Sequence, residues 1–223
     1  MSEHQSSGEG GKMSGSCSAT CIVLDHSLIV VNLGDSRVVA SVSGGDARQI
    51  TRDHKPRRIS EFERIVEAGG QMYRVSQNPQ NNQLVYYHTK SYTQMKEIDQ
   101  QVRKTGFQSG PWRIKPGKLS VSRSFGDLQC KSPKRCLVAK PDLADLDIDE
   151  LDFVLIGSDG LFDECSNQVL IDLVWKTIGY HRGKGKGREA VIRTCVDNLM
   201  KLALLKRAQD NISVILLFFK DLF

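Results

Sequence analysis

Four aspartates lie at the ends of apolar runs that have the composition of β-strands. Asp35 follows LIVVNLG, Asp127 ends SVSRSFG, Asp159 ends FVLIGS, and Asp210 directly precedes NISVILLFF. The end of one antiparallel strand lies beside the start of its neighbour, so Asp159 and Asp210 would meet at one sheet edge if their strands are adjacent. Carboxylates gathered in this way repel each other and need a proton, a basic side chain or a metal ion.

A hard divalent cation would satisfy such a set of oxygen ligands. Mg²⁺ and Mn²⁺ are the natural choices, and Gly160 would let the backbone approach the ion closely. Alternatively, Asp-Gly and Asp-Asn are simply turn-forming pairs. That alternative is preferable for any single aspartate, whereas the whole set favours a metal site.

The composition is that of an ordinary soluble globular protein. The chain has 223 residues, of which 39% are hydrophobic and 26% charged, and its net charge of +5 is spread along the sequence. This mild, dispersed charge does not indicate binding to nucleic acid or membranes, and we expect neither. We also expect a monomer. The six cysteines form no CxxC pair, which predicts free thiols and a cytoplasmic or nuclear location.

Turn-forming residues separate most of the predicted strands. Residues 1–16 are rich in Ser and Gly and predict a disordered lead. The strand candidates are ATCIVLD, SLIVVNLG, RVVASV, QLVYYH, KLSVSRSFGD, CLVAKPDLADLDI, DFVLIGSDG and NISVILLFFK, the last predicted to be buried on both faces. Arg37 and Arg123 are interpreted as fixing loop geometry through pairs with neighbouring aspartates.

Three segments have the periodicity of helices. They are PRRISEFERIVEAGG, ending at Gly69; NQVLIDLVWKTIG, with Ser166 as N-cap and Gly179 as the stop; and REAVIRTCVDNLMKLALLKRA. Residues 71–118 are polar and weakly patterned, which predicts an excursion from the main sheets that acts as a flap. Strands with helices segregated between them indicate an α+β fold.

A set of short motifs resembles the type 2C family of metal-dependent protein phosphatases. The motifs are GSCSAT, VVNLGDSRVV, ITRDHKP, ERIVEAGGQM, LSVSRSFGD, KPDL, FVLIGSDGLFD and QDNISVILL, in the family's order and at about its spacing. The resemblance implies an antiparallel β-sandwich flanked by helices. It also implies a binuclear Mg²⁺ or Mn²⁺ centre at which a metal-activated water hydrolyses phosphoserine and phosphothreonine in phosphoproteins.

The resemblance also assigns metal ligands. By motif, Asp159 and Asp210 hold one of the two core metals, while Asp35 and Asp163 match positions that share a third, weaker metal with Asp159 in some members. Residues 71–118 match the family's flap, which varies in length and influences substrate choice. No catalytic residue can be assigned in this way.

The family pattern also contains an early Arg and a DGHGG motif, which this sequence lacks. Asp25 and His26 are not followed by the glycines and do not replace that motif. We therefore expect residues 17–223 to form an incomplete phosphatase domain without its amino-terminal strands. The alternative hypothesis is a catalytically inactive, phosphatase-like module that binds a phosphoprotein or a kinase as a scaffold.

Overall fold

The computed structural model describes residues 14–133 and 135–223. Residues 1–13 of the lead predicted over residues 1–16 lie outside the described residues. For the last two residues of this lead the prediction of disorder is wrong, because Gly15–Ser16 forms a short strand that pairs with Phe125–Gly126.

The chain forms antiparallel β-strands and α-helices, which confirms the predicted α+β class. The strands, in chain order, are β1 (Gly15–Ser16), β2 (Ser18–Leu24), β3 (Ser27–Leu33), β4 (Arg37–Val42), β5 (Asp46–Gln49), β6 (Gln71–Gln77), β7 (Leu84–Thr89), β8 (Gln108–Ser109), β9 (Arg113–Lys115), β10 (Phe125–Gly126), β11 (Asp142–Asp147), β12 (Leu151–Gly157) and β13 (Val214–Phe218). The helices are α1 (Ile59–Glu67), α2 (Tyr92–Thr105), α3 (Leu128–Lys131), α4 (Asp159–Phe162), α5 (Asn167–His181) and α6 (Arg188–Leu205).

The chain divides into two compact units. The described part of the first unit comprises residues 14–17 and 54–140, apart from residue 134. The second unit comprises Ser18–Asp53 and Pro141–Phe223. Each unit has a hydrophobic core of its own.

The second unit contains two antiparallel sheets that share one core. One sheet has the strand order β11-β3-β2, and the other has the order β13-β12-β4-β5. Leu28 and Val30 of β3 meet Val38 of β4 and Val154 of β12 in one buried cluster. This arrangement confirms the predicted antiparallel sandwich.

Helices α5 and α6 cover the other face of the four-stranded sheet. Val39 and Phe153 pack there with Leu170 of α5 and Leu199 of α6. Side chains alternate between the faces of a strand, so Val38 belongs to the sandwich core while Val39 belongs to the helix-covered core. The central strands are therefore buried on both sides.

Helix α5 begins as predicted but continues past its predicted end. Ser166 is the N-cap, and its Oγ accepts a hydrogen bond from the Val169 N–H. The prediction of a stop at Gly179 is wrong, since the helix runs to His181. A helical glycine costs only about 1 kcal/mol, and the burial of Ile178 in the adjoining core outweighs that cost.

The first unit contains the polar excursion over residues 71–118, which folds around a core. Strands β7, β6 and β8 form an antiparallel sheet, and β9 pairs with β6 on the same side as β8. The sequence predicts only one strand here, QLVYYH, and that prediction is wrong, since β6, β8, β9 and α2 also form. Strand β6 and helix α2 bury Met72, Met95, Ile98 and Val102. The last three residues recur at helical spacing, a signal that the surrounding Gln and Asn obscure.

Two strand predictions need correction. The segment KLSVSRSFGD forms only β10, because its serines bond elsewhere: the Ser122 Oγ donates to the His54 carbonyl at 2.8 Å, and the Ser124 Oγ donates to Asp127 at 2.6 Å. The prediction that NISVILLFFK is buried on both faces is also wrong. Its strand β13 lies at the sheet edge, where Ile215 is 54% exposed.

All six cysteines are free thiols, as predicted. Burial raises the pKa of the Cys195 thiol to about 11. Within residues 14–133 and 135–223, we find no helix with the length and apolar character that a membrane crossing needs.

Helix α1 carries a buried ion-pair network. Glu61 is 1% exposed and accepts hydrogen bonds from Arg123 at 2.6 Å and from Arg64 at 2.7 Å. Burial alone would raise the pKa of Glu61, but hydrogen bonds from Arg123, Arg64 and Ser122 lower it to about 2. Glu61 is thus an acidic partner of Arg123 that the sequence did not predict, and the pairing of Arg123 with an aspartate stays a prediction.

We predict that Glu61→Gln lowers the free energy of unfolding at pH 7 by about 3 kcal/mol, because two arginines lose their acceptor. The carboxylate has a depressed pKa, so its contribution is present above pH 4.5 and is lost as the pH falls towards about 2. Urea unfolding at several pH values should show a weaker acid dependence in this variant. Glu63→Gln, an exposed change on the same helix, is the control, and parallel pH profiles for the wild type and Glu61→Gln would contradict the prediction.

Candidate metal site

Three loops of the second unit reach the same edge of the four-stranded sheet. Gly157, the last residue of β12, lies opposite Arg37 at the start of β4 and opposite Val214 at the start of β13. The turn before β4 carries Asp35, the segment after β12 carries Asp159, and the loop before β13 carries Asp210. We call this side of the sheet, with Asp35, Asp159, Asp163 and Asp210, the carboxylate edge.

Hydrogen bonds tie the Asp159 segment to the Asp210 loop. The Ser158 Oγ donates to the Asn211 carbonyl at 2.9 Å and accepts from the Ser213 N–H at 3.0 Å. The Ser158 N–H donates to the Ser213 carbonyl at 3.2 Å. The adjacency of the two strands, on which the sequence prediction depended, is therefore present.

Gly160 allows the two segments to approach closely. A Cβ atom at this position would lie 2.5 Å from the Asn211 carbonyl oxygen and 3.0 Å from that of Asp210. No real Cβ tolerates such a contact with backbone, so the position requires glycine. The sequence predicted a close backbone approach at this glycine, although to a metal ion rather than to a second loop.

Asp159 and Asp163 stand at the two ends of α4. Asp159 is the first residue of that helix and is half-buried. Asp163 is exposed, and its N–H donates to the Asp159 carbonyl at 2.8 Å. The two side chains thus start one helical turn apart, at the same end of β12.

Asp35 and Asp210 differ in exposure. Asp35, in the turn between β3 and β4, is 6% exposed. Asp210 is exposed, and its Oδ1 accepts the N–H of Asn211 at 2.7 Å. Three residues of the edge, Asp35, Asp159 and Asp163, also have further interactions.

Arg37 braces the carboxylate edge. Its guanidinium donates to both oxygens of Asp53, at 3.0 and 2.6 Å, and to the Asn167 Oδ1 at 2.8 Å. It also lies 4.9 Å from the ring centre of Phe162 in α4. The interpretation of Arg37 as an aspartate partner that fixes a loop is confirmed, whereas the part played by Asn167 was missed because a single Asn at a helix start carries no distinctive pattern.

Asp127 does not belong to the carboxylate edge. It lies in the first unit, is 3% exposed and accepts the Ser124 hydroxyl hydrogen bond described above. Its place after an apolar run resembled that of the other three aspartates, but the run before it is not a strand of either main sheet.

The donor set of the edge fits a hard cation. Asp159 and Asp210 supply carboxylate oxygens, and Mg²⁺ is commonly bound by one or two carboxylates with water and substrate phosphate as the other ligands. Among the residues that the structure describes, no three His, Cys, Asp or Glu side chains are grouped to hold an ion. The pair Asp159 and Asp210 matches the one or two carboxylates of such a Mg²⁺ site.

The sequence is similar to known phosphatases. A family model described as protein phosphatase 2C matches residues 2–212. Probable protein phosphatase 2C 11 of Arabidopsis thaliana is 34% identical over 163 residues, which are 73% of this chain and 33% of that protein. Probable protein phosphatase 2C 59 of Oryza sativa subsp. japonica is 31% identical over 199 residues, or 88% of this chain and 49% of that protein. The chain thus spans about a third to a half of the length of these curated relatives.

Solved structures share the fold. A C. elegans sex determining protein superposes with a TM-score of 0.66 at 21% identity, covering 93% of this chain and 41% of that chain. A serine-threonine phosphatase 2C from Toxoplasma gondii superposes with a TM-score of 0.57 at 23% identity, covering 92% of this chain and 58% of that chain. At these identities the likeness concerns the fold alone.

We predict that Gly160→Ala lowers the free energy of unfolding by about 1–3 kcal/mol, because the new methyl group overlaps the Asn211 carbonyl. Gly179→Ala in α5 is the matched control, since a Cβ there meets nothing within 4 Å. That change should raise the free energy of unfolding by about 0.5–1 kcal/mol through helix propensity. Urea unfolding measures the free energy of unfolding of both variants. Equal stabilities would contradict the close contact between Gly160 and the Asn211 carbonyl.

Proposed function

This chain belongs to the protein phosphatase 2C family, and on that basis we propose that it is a metal-dependent protein serine/threonine phosphatase. The proposed substrates are phosphoserine and phosphothreonine in phosphoproteins. Mg²⁺ or Mn²⁺ is the proposed metal.

The single observation that carries the proposal is the meeting of the Asp159 and Asp210 segments at one sheet edge. Helices α5 and α6 separate the two segments in the sequence. Even so, the Ser158 side chain forms hydrogen bonds with the backbone of Asn211 and Ser213. Such placement supports a pair of carboxylates that bind one cation from two sides.

Each residue at the edge has a proposed task. Asp159 and Asp210 would hold a core cation. The assignment of Asp35 and Asp163 to a weaker cation together with Asp159 stays a prediction from the sequence motifs, since no three such side chains are grouped among the described residues. When bound, divalent cations supply an activated water and neutralise charge on the phosphoryl oxygens. Arg37 keeps α4, and with it Asp159, in a fixed position through its contact with Phe162.

The cell location and the oligomeric state stay predictions. The free thiols agree with a reducing compartment, for which the cytoplasm or nucleus is proposed. A monomer is proposed for the active form.

We predict that Asp159→Asn and Asp210→Asn each weaken Mn²⁺ binding at least about tenfold, because each removes one negatively charged oxygen ligand. Isothermal titration with Mn²⁺ measures the binding. Hydrolysis of a phosphoserine peptide should also fall at least about tenfold in each variant. It is measured as released phosphate, at the Mn²⁺ concentration that saturates the wild type.

Asp197→Asn is the matched control for these variants, since it removes an exposed aspartate from the middle of α6. It should leave Mn²⁺ affinity and hydrolysis unchanged. Unchanged Mn²⁺ affinity in Asp159→Asn would overturn the metal assignment. Phosphopeptide binding by the wild type without hydrolysis in Mn²⁺ would instead favour the inactive scaffold module.

A further inference from the structure

A second candidate site lies in the first unit, at one end of its sheet. Gln71 begins β6 and faces Lys115 of β9 on one side. On the other side, Met72 faces Thr89, and Lys90 is the next residue along the chain. Gln71 and Lys115 thus face each other on two strands, Lys90 lies in the bend after β7, and we call these three residues the row.

Two side chains of this row, those of Gln71 and Lys115, leave the sheet on one face. The neighbours Met72, Thr89 and Ile114 are all buried, at 0%, 3% and 0% exposure, and point into the core. Successive side chains on a strand point to opposite faces, so Gln71 and Lys115 point away from that core. Both lysines are exposed.

The row forms part of a cavity of about 430 Å³, which Gln129 and Ser132 at α3 help to line. We call it the lysine pocket, and define it by Gln71, Lys90, Lys115, Gln129 and Ser132. Its volume is within the range of small-ligand pockets. It is large enough for a phosphorylated side chain together with the peptide backbone that carries it.

The charge of the lysine pocket has a single sign. No Asp or Glu lines it. Within residues 14–133 and 135–223, neither Lys90 nor Lys115 has an ion-pair partner. Two ammonium groups on flexible stems can close on one anion between them, and a dianionic phosphate gains more from both than a carboxylate does.

Polar groups of the pocket offer further contacts. The Ser132 hydroxyl can donate to an anion. The Oε1 atom of Gln129 is buried and has no hydrogen-bond partner among the described residues. A buried acceptor without a partner costs free energy, and a turn of the Gln129 side chain towards the pocket would let a ligand N–H remove that cost.

We propose that the lysine pocket binds a phosphorylated peptide segment. The phosphate lies between Lys90 and Lys115, and a backbone N–H of the same segment donates to Gln129. The identity of the ligand as a phosphoprotein rests on the proposed function, but the pocket uses residues of the first unit only. It would recognise a phosphate that the carboxylate edge does not hydrolyse.

The test is fluorescence anisotropy of a labelled phosphoserine peptide with the full chain, in EDTA so that neither hydrolysis nor metal-bound phosphate contributes. We expect Lys90→Ala/Lys115→Ala to weaken binding at least about tenfold. Lys96→Ala/Lys104→Ala removes the same charge from exposed positions of α2 and is the matched control, expected to change binding less than about twofold. Circular dichroism confirms that both double variants are folded.

Peptides with Glu or Ser in place of phosphoserine show whether the pocket prefers phosphate to a carboxylate or to a neutral side chain. The proposal requires the phosphoserine peptide to bind more tightly than the Glu peptide, and the Glu peptide more tightly than the Ser peptide. Equal binding of all three, or equal weakening by the two double variants, would overturn it. Gln129→Leu should weaken the phosphopeptide but not inorganic phosphate used as competitor, and an unchanged phosphopeptide affinity would overturn the N–H contact.

The outcomes separate this inference from the proposed function. Mn²⁺-dependent hydrolysis that survives alongside a failed anisotropy test would remove only the lysine pocket. Phosphopeptide binding that depends on Lys90 and Lys115 in a chain without hydrolysis would remove only the phosphatase activity.

Discussion

The pairing of β12 with both β4 and β13 is the constraint on which the second unit depends. Gly157 is fixed opposite Arg37 on one side and Val214 on the other, so the register of three strands is set at a single point. A slip of one residue would turn every side chain of β12 to the opposite face and exchange the two cores. The same register brings Asp35, Asp159 and Asp210 to one edge, so the candidate chemistry follows from the packing of the sheet.

Hydrophobic burial and polar contacts both stabilise the carboxylate edge. The alternation of Val38 and Val39 between two cores holds β4 from both sides, and it leaves the loops beyond the strand to be fixed by polar contacts. Arg37 provides these contacts through Asp53 and Asn167, both in the same unit. A bidentate Arg–carboxylate pair with little exposure is worth more than a surface pair, because it sets a geometry as well as a charge balance.

The sequence predicted the sandwich and the placement of the aspartates well, because both follow from periodicity and from antiparallel geometry. It failed for residues 71–118, where polar composition obscured the helical spacing of Met95, Ile98 and Val102. It also failed for β13, because an unbroken apolar run does not distinguish an edge strand from a central one. The orientation of each carboxylate depends on contacts between loops, such as those of Ser158, that local patterns do not encode.

The burial of β12 has a consequence for the order in which the second unit opens. All 7 residues of this strand are buried, and it is hydrogen-bonded on both sides. Its amide hydrogens can exchange with solvent only when both neighbouring ladders separate, which makes it one of the last segments to open. The loop with the exposed Asp210 can lose its order without that event. Local fraying could therefore disable the carboxylate edge while the sandwich stays intact.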